Sequence, residues 1–238
     1  VKIVVITDLH ANLPALEALF TAIRAEGCDA LFHTGDAIAI GPQPAECLDL
    51  LLRAPNPCFV GGNHEDYYVE GIPHPRPPWM SEGEAEHQQW THAQLGPQLR
   101  PLLAGWPRVL RREFAGVRAV FVHYGFLPSG HDFAPYLKEP NAAELDKMFK
   151  PYDADLVFYG HDHRRSDLQG RARYVNPGSA GCYHKPVARY CVAEFCQGRY
   201  QLEHRRIEYQ DEGLYRAFEE RRVPDRHFIY RAFFGGAV

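Results

Sequence analysis

Three short apolar runs, the β-branched Val1–Ile6 and then Ala30–His33 and Pro57–Val60, are separated by stretches with helical spacing. Unbroken apolar runs, rather than alternating ones, are what strands covered on both faces require. Between the first two, Leu16, Leu19, Phe20 and Ile23 recur at helical intervals. They stand behind Asn12, a helix-capping residue type, and Pro14, which suits a first turn. A second helix is expected over Pro44–Arg53. Parallel neighbours need a crossover, and the crossover helix packs on the sheet face, so this order predicts a parallel sheet.

Beyond it the pattern changes twice. A Pro-rich loop, Ile72–Pro78, leads into an expected helix at Glu82–Gln94 and a short helical piece before Trp106. Strand-like runs then follow at Val109–Phe114, Val117–Val122, Leu156–Tyr159, Arg171–Val175, Ala188–Phe195 and Arg199–Ile207. Gln197-Gly198 splits the last two as a hairpin turn. An amphipathic helix near Glu212–Arg221 precedes an aromatic tail of Phe228, Tyr230, Phe233 and Phe234, which packs on the domain or on a second subunit. The whole predicts an α/β fold: two mixed β-sheets packed face to face with helices outside, one domain over 1–238. Residues 66–107 read as a helical, Pro-rich insertion. Its Tyr67, Tyr68, His74, Arg76, Trp79 and Trp90 form either a lid over a site or a cover for the sheet edge.

Composition excludes several classes. With 238 residues, 45% apolar and 24% charged, the chain is an ordinary globular one. No apolar run approaches the roughly 20 residues of a membrane helix. The N-terminus lacks the basic start and long apolar core of a signal peptide, so a cytoplasmic location is expected. A net charge of −4 leaves no basic footprint for nucleic acid. The six cysteines form no CxxC pair and read as reduced thiols. Thirteen histidines are the unusual feature.

Five of them, with aspartates and an asparagine, fall in short motifs where strands end: Asp8-Leu9-His10, Gly35-Asp36, Gly61-Gly62-Asn63-His64-Glu65, Val122-His123 and Gly160-His161-Asp162-His163. Loops beyond strand C-termini are where ligands bind in open α/β sheets. In extended chain, residues i and i+2 face the same side, so Asp8 with His10 and His161 with His163 are expected as two-point clamps. Imidazole nitrogens mixed with carboxylate and amide oxygens suit Mn2+ or Fe2+, with Zn2+, Ni2+ and Co2+ also compatible. Seven such residues are too many for one ion with an open position. They suit two ions about 3.5–4 Å apart with one carboxylate bridging. Two divalent ions against Asp8 and Asp36 leave a local positive excess of roughly +2, enough to draw a phosphate to an acidic chain. His64, beside Asn63, is the candidate donor toward a leaving oxygen or developing charge.

In this order the five motifs resemble the calcineurin-like metallophosphoesterase superfamily, whose pattern is DxH, GD, GNH(D/E), a lone His after a strand, and GHxH. Gly41-Pro42 and Asn176-Pro177-Gly178-Ser179 extend the similarity to its small bacterial and archaeal phosphodiesterase-like branch, over roughly residues 1–195. The resemblance implies a four-layer αββα sandwich. It implies one metal on Asp8, His10 and His163, another on Asn63, His123 and His161, and Asp36 bridging. It makes His64 the phosphate-contacting catalytic histidine, with Asn63 beside it at the substrate. The activity implied is hydrolysis of a phosphoester by a metal-bound hydroxide, on a small phosphorylated molecule such as a phosphodiester, nucleotide or dinucleoside polyphosphate.

Two departures narrow this. Phosphoprotein phosphatases of the superfamily carry GDxxDRG, whose second Asp supports the catalytic His. Here Ala39 and Ile40 replace that Asp and Arg, which disfavours a phosphomonoesterase acting on proteins. Purple acid phosphatases place a Tyr where Ala39 stands. A reading of another class is a non-catalytic binding scaffold on the same fold, like the retromer subunit; retention of His64 and of all seven ligands speaks against it. Asn12 and His184 are further candidates for touching substrate, although helix capping accounts for Asn12 without chemistry.

Overall fold

The computed structural model describes residues 1–236. The first sheet is built from β1 (Lys2–Ile6), β2 (Ala30–His33), β3 (Cys58–Phe59), β9 (Val187–Cys196) and β10 (Arg199–Glu208), in the order β10-β9-β1-β2-β3. β1, β2 and β3 run parallel, connected through α1 (Leu13–Glu26) and α2 (Pro44–Leu51), while β9 pairs antiparallel with both β1 and β10. The second sheet contains β4 (Val109–Phe114), β5 (Val117–Val122), β6 (Leu156–Phe158), β7 (Ser166–Gln169) and β8 (Arg173–Asn176), in the order β4-β5-β6-β8-β7. Its three central strands are parallel and its two edges antiparallel.

The unbroken apolar run of β1 is explained by what lies on each side. Ile3 and Val5 face the second sheet, in a layer with Phe32, Phe121, Phe158 and Val175. Phe32 stacks on Phe121 at 4.1 Å between centroids. Val4 and Ile6 face the other way, onto Leu16, Leu19 and Ile23 of α1. Each such aliphatic side chain contributes about 1.5–3 kcal/mol by leaving water. The outer face of the second sheet, through Val120, Val122 and Val157, is covered by Leu145 and Phe149 around α6 (Ala142–Met148). The result is the expected four-layer αββα sandwich with two mixed sheets.

Several elements were not legible in advance. α3 (Asn63–Glu70) begins inside the GNHE motif and has too few apolar residues to show a periodic face. α6 is announced only by its cap: the Asn141 side chain accepts from Glu144 N at 3.1 Å while Glu144 accepts from Asn141 N at 2.8 Å. β7 is a polar edge strand, SDLQ, with no strand-like composition. The short α5 (Arg100–Ala104) is the expected helical piece before Trp106, and α4 (Glu82–Leu95) ends one residue beyond the expected limit. The aromatic tail folds into α8 (Arg226–Phe233), whose Ile229 and Tyr230 pack with Phe234 on Leu214 and Phe218 of α7 (Glu212–Glu220) and on Ile40 and Cys182. No described helix is long and apolar enough to cross a membrane.

Candidate metal centre

All five motifs converge at one end of the sandwich, beyond the C-termini of parallel strands in both sheets. Asp8 and His10 follow β1, Asp36 follows β2, Asn63 and His64 open α3 after β3, His123 follows β5, and His161 and His163 follow β6. The clamps do not arise by strand alternation, as the sequence suggests. Asp8 (φ 50°), His10 (φ 50°), Asp36 (φ 58°), His161 (φ 76°) and His163 (φ 56°) all lie in the left-handed region. Residues with a Cβ rarely occupy it, at about 1–3 kcal/mol each, and such strain gathers at functional sites. Neighbouring loops hold these turns: Asp8 N donates to Gly35 O and His10 N to Asp36 O, both at 3.0 Å. His161 N donates to the Asp8 carboxylate at 3.1 Å. Gly35 combines φ +102° with a close approach to the His123 ring, and a Cβ on Gly62 would run into the Asp36 carboxylate.

The donor atoms form two clusters. In one, His123 Nε2 lies 3.2 Å from Asn63 Oδ1 and 3.2 Å from His161 Nδ1, and His161 Nδ1 lies 3.0 Å from Asn63 Oδ1. In the other, His10 Nε2 faces His163 Nε2 at 2.8 Å, with Asp8 Oδ1 3.8 Å and 3.7 Å away. Asp36 Oδ2 stands between them, 3.2 Å from His123 Nε2 and 3.9 Å from His10 Nε2. Ligands about 2.1 Å from a shared ion sit roughly 3–3.5 Å apart at right-angled to tetrahedral geometry. Spacings of 3.0–3.2 Å around Asn63, His123 and His161 match edges of such polyhedra, and those around Asp8, His10 and His163, 2.8–3.8 Å, bracket them, so the residues present fit divalent metal.

Electrostatics agree. Burial holds the His161 imidazole down at about 4 and His163 at about 3, and it holds His10 well below the usual range. All three therefore present unprotonated nitrogens. His123 departs in the other direction: burial lowers it, but the Asp36 carboxylate and its hydrogen bond outweigh burial and lift it to about 10. Its Nδ1 donates to Thr34 O at 2.9 Å, which aims Nε2 at the cluster. Burial pushes Asp8 up to about 7. Carboxylates this deeply buried call for a cation beside them.

Residues that the motifs did not single out organise the site. The buried Glu65 carboxylate accepts from Gly62 N and Asp36 N at 2.8 Å, Ala37 N at 2.9 Å and Ile38 N at 3.3 Å, tying the loops of Asp36 and Asn63 together. Its place in GNHE was the available signal. Gln88, on α4, brings Nε2 to within 2.7 Å of His64 Nδ1. No sequence signal marks it. Cys182 is buried with its sulfur within 4.8 Å of donor atoms of His10 and His163. Asp162, between two of the clustered histidines, accepts from Asn176 Nδ2 at 2.5 Å and Arg164 N at 3.1 Å, and burial raises it to about 6. Asn12 is fully buried and spends its side chain on Ala15 N, Gly181 O and Tyr209 OH, as a helix cap. His33 accepts from Gly35 N at 3.2 Å and stiffens that turn.

A cavity of about 650 Å³ opens over the clusters. His64, the exposed His184 and three arginines line it, together with Phe233, whose ring lies 5.7 Å from that of His163. Arg164 is paired with Glu139. Arg189 donates to His163 O at 2.8 Å and to Ser179 O at 3.1 Å, holding the loop that carries His163. Arg231 has no acidic partner among the described residues and faces the cavity from α8. The segment 66–107 supplies none of these wall residues; it reaches the site behind His64, through Gln88.

Comparison with known proteins places this geometry. Protein MJ0912 of Methanocaldococcus jannaschii is 27% identical over 241 residues, covering 94% of each chain. The hypothetical protein PH1004 from Pyrococcus horikoshii superimposes with a TM-score of 0.81 at 16% identity, over 100% of this chain and 99% of its own. A metallophosphoesterase from Sphaerobacter thermophilus does so with a TM-score of 0.70 at 24% identity, over 94% and 95%. At these identities the structures testify to a shared fold. The family model of the calcineurin-like phosphoesterase superfamily domain matches residues 1–198, a span that holds both donor clusters and leaves α7 and α8 outside. The chain belongs to the calcineurin-like phosphoesterase superfamily.

Proposed function

We propose that this protein is a dinuclear metal-dependent phosphoesterase acting on a small phosphorylated molecule, a phosphodiester or a nucleotide-type substrate. Asp8, His10 and His163 hold one ion, Asn63, His123 and His161 hold the other, and Asp36 is shared. The observation that carries this reading is that Asp36 belongs to two separate groups of close donors, one with His10 and His64 and one with His123 and His161. Bound ions of the Mn2+ or Fe2+ type supply Lewis-acid polarisation of the phosphoryl group and an activated water.

The chain's own groups do the rest. His64, with Nε2 3.9 Å from Asp36 Oδ2 and its ring at the cavity, is placed to contact the phosphoryl oxygens. Asn63 adds its amide at the same point. Arg231 offers positive charge and His184 a hydrogen-bonding imidazole on the cavity lining, suited to a second anionic group. Among the lining residues Arg164, Arg189 and Arg231 outnumber Asp36 and Asp162, although the chain carries a net −4. A concave cavity narrowed by α8 and Phe233 suits a small molecule better than a phosphoprotein loop, in keeping with Ala39 and Ile40 at the positions where protein phosphatases carry Asp and Arg.

The test is a substrate panel with Mn2+ or Fe2+ added: aryl mono- and diesters, cyclic nucleotides, dinucleoside polyphosphates and phosphopeptides, each with and without chelator. Chelator-sensitive hydrolysis of aryl diesters and of one nucleotide class is expected. Stoichiometric metal binding without turnover on any member would favour the scaffold reading instead.

A further inference from the structure

The cavity over the metal centre has a different wall at each of the two donor clusters. Beside Asn63, His123 and His161 stands Tyr136, which lines the cavity, is 50% exposed and lies 6.4 Å from His161 between ring centroids. Packing does not use this ring. Phe133 already covers His123 and His161, at 5.6 Å and 6.1 Å, and stacks on Phe126 at 4.9 Å. Ala134, Pro135 and Leu137 line a different, apolar cavity. The backbone on either side of Tyr136 is nevertheless pinned. Ala134 N donates to Gly125 O at 2.7 Å, and Leu137 N donates to Tyr124 OH at 2.9 Å. A half-exposed aromatic ring on fixed backbone gains by being covered, with little ordering cost to the loop.

Beside Asp8, His10 and His163 the wall is α8. Its Phe233 ring lies 5.7 Å from that of His163, and its exposed Arg231 lines the cavity with no acidic partner among the described residues. The other two lining arginines are engaged, Arg164 by Glu139 and Arg189 by the carbonyls of His163 and Ser179. A guanidinium left free in this way is suited to the oxygens of a phosphate. Asp36 stands between the two clusters, so the reacting centre has a stacking ring on one side and a cation on the other. We propose that the cavity selects a linear nucleoside diphosphate, with the base on Tyr136, the first phosphate at the donor clusters and the second phosphate on Arg231. A volume of about 650 Å³ is in the range that holds a molecule of this size. A cyclic nucleotide or a simple aryl ester offers only one of the two end groups. In this pose hydrolysis breaks the bond between the first phosphorus and the bridging oxygen. The oxygen of water takes its place on phosphorus. The bridging oxygen leaves with the bonding pair as part of the second phosphate, and the two protons of the water go to that phosphate and to solvent. The inference rests on the phosphoesterase reading for this reaction, but not for the selection.

Calorimetric titration of the full chain in excess Mn2+ reads the selection without turnover. The probes are α,β-methylene-ADP, whose bridge is not hydrolysed, methylenediphosphonate, which lacks the ring, and AMP, which lacks the second phosphate. The wild type should bind α,β-methylene-ADP about 10-fold or more tightly than either partial ligand, the worth of one base–aromatic stack or one charge-assisted contact. Tyr136→Ala should remove the advantage over methylenediphosphonate while the affinity for methylenediphosphonate itself stays close to that of the wild type. Tyr136→Phe, which keeps the ring, should retain it. Arg231→Ala should remove the advantage over AMP instead. Equal wild-type affinity for α,β-methylene-ADP and methylenediphosphonate overturns the proposal, and so does a Tyr136→Ala variant that weakens both alike. Chelator-sensitive hydrolysis of aryl diesters without this selectivity sinks the present inference alone. Selective binding with no phosphoester hydrolysed sinks the catalytic reading and leaves the selection standing.

Discussion

Replacing Glu65 by Gln tests whether one buried carboxylate holds the two halves of the metal centre in register. The change is nearly isosteric, so packing losses do not obscure it. In the native chain Oε2 accepts from Asp36 N and Gly62 N, and Oε1 from Ala37 N and Ile38 N. A glutamine has one acceptor oxygen, so its NH2 must face two backbone donors whichever way it turns. Two charge-assisted bonds are lost, at about 1.5–3 kcal/mol each, and the remaining two become neutral ones. The expected loss is about 4 kcal/mol, a large part of the 5–15 kcal/mol typical of a domain. For a chain of this size that is roughly 8–16 °C in thermal midpoint. The loops concerned carry Asp36 and Asn63, so metal affinity should fall together with stability. Thermal melts by circular dichroism with chelator present read the first effect, and Mn2+ or Zn2+ titration reads the second. A midpoint within about 3 °C of wild type, with unchanged metal affinity, would falsify the argument that Glu65 organises the site.

Other expectations follow from the same geometry. Asp36→Asn should reduce bound metal, measured by elemental analysis, and abolish turnover; full occupancy would show that neither cluster depends on it. Stripping the ions should lower the melting midpoint, because ligand at about 100 times its dissociation constant stabilises by about 2.7 kcal/mol per site. Arg231→Ala should raise KM about 10-fold for substrates with a second phosphate, the equivalent of one charge-assisted bond, and should leave simple aryl diesters nearly untouched. On the far side of the sandwich, hydrogen bonds from Arg118 hold the Asp155 carboxyl below its ordinary range. A depressed carboxyl stabilises above its unfolded pKa and loses that contribution as pH falls through the folded one. Arg118→Leu should therefore lower the denaturant midpoint modestly at neutral pH and by less at acid pH, as the folded carboxyl becomes protonated. An equal loss at both pH values would mean the bridge is not the cause.

The αββα architecture and the identity of the clustered residues were legible in the chain because both are local signals. β1 announces itself by composition, and each motif sits within two or three residues of a strand end, so order along the sequence maps directly onto order along one edge of the sheets. α1 was legible down to its Asn12 cap for the same reason. What escaped is long-range. Gln88 lies 24 residues from His64, on a helix whose buried polar face has no periodic signature. Arg231 reaches the cavity only because Ile229, Tyr230 and Phe234 dock α8 against α7 and Ile40. The left-handed turns at Asp8, His10, His161 and His163 replace the strand alternation that local reasoning expects, since only neighbouring loops can hold such backbone in place. The chain alone therefore decided which residues gather at the candidate metal centre. The tertiary structure decided what stands behind His64 and what closes the cavity above it, because Gln88 and α8 are partners that only packing brings near.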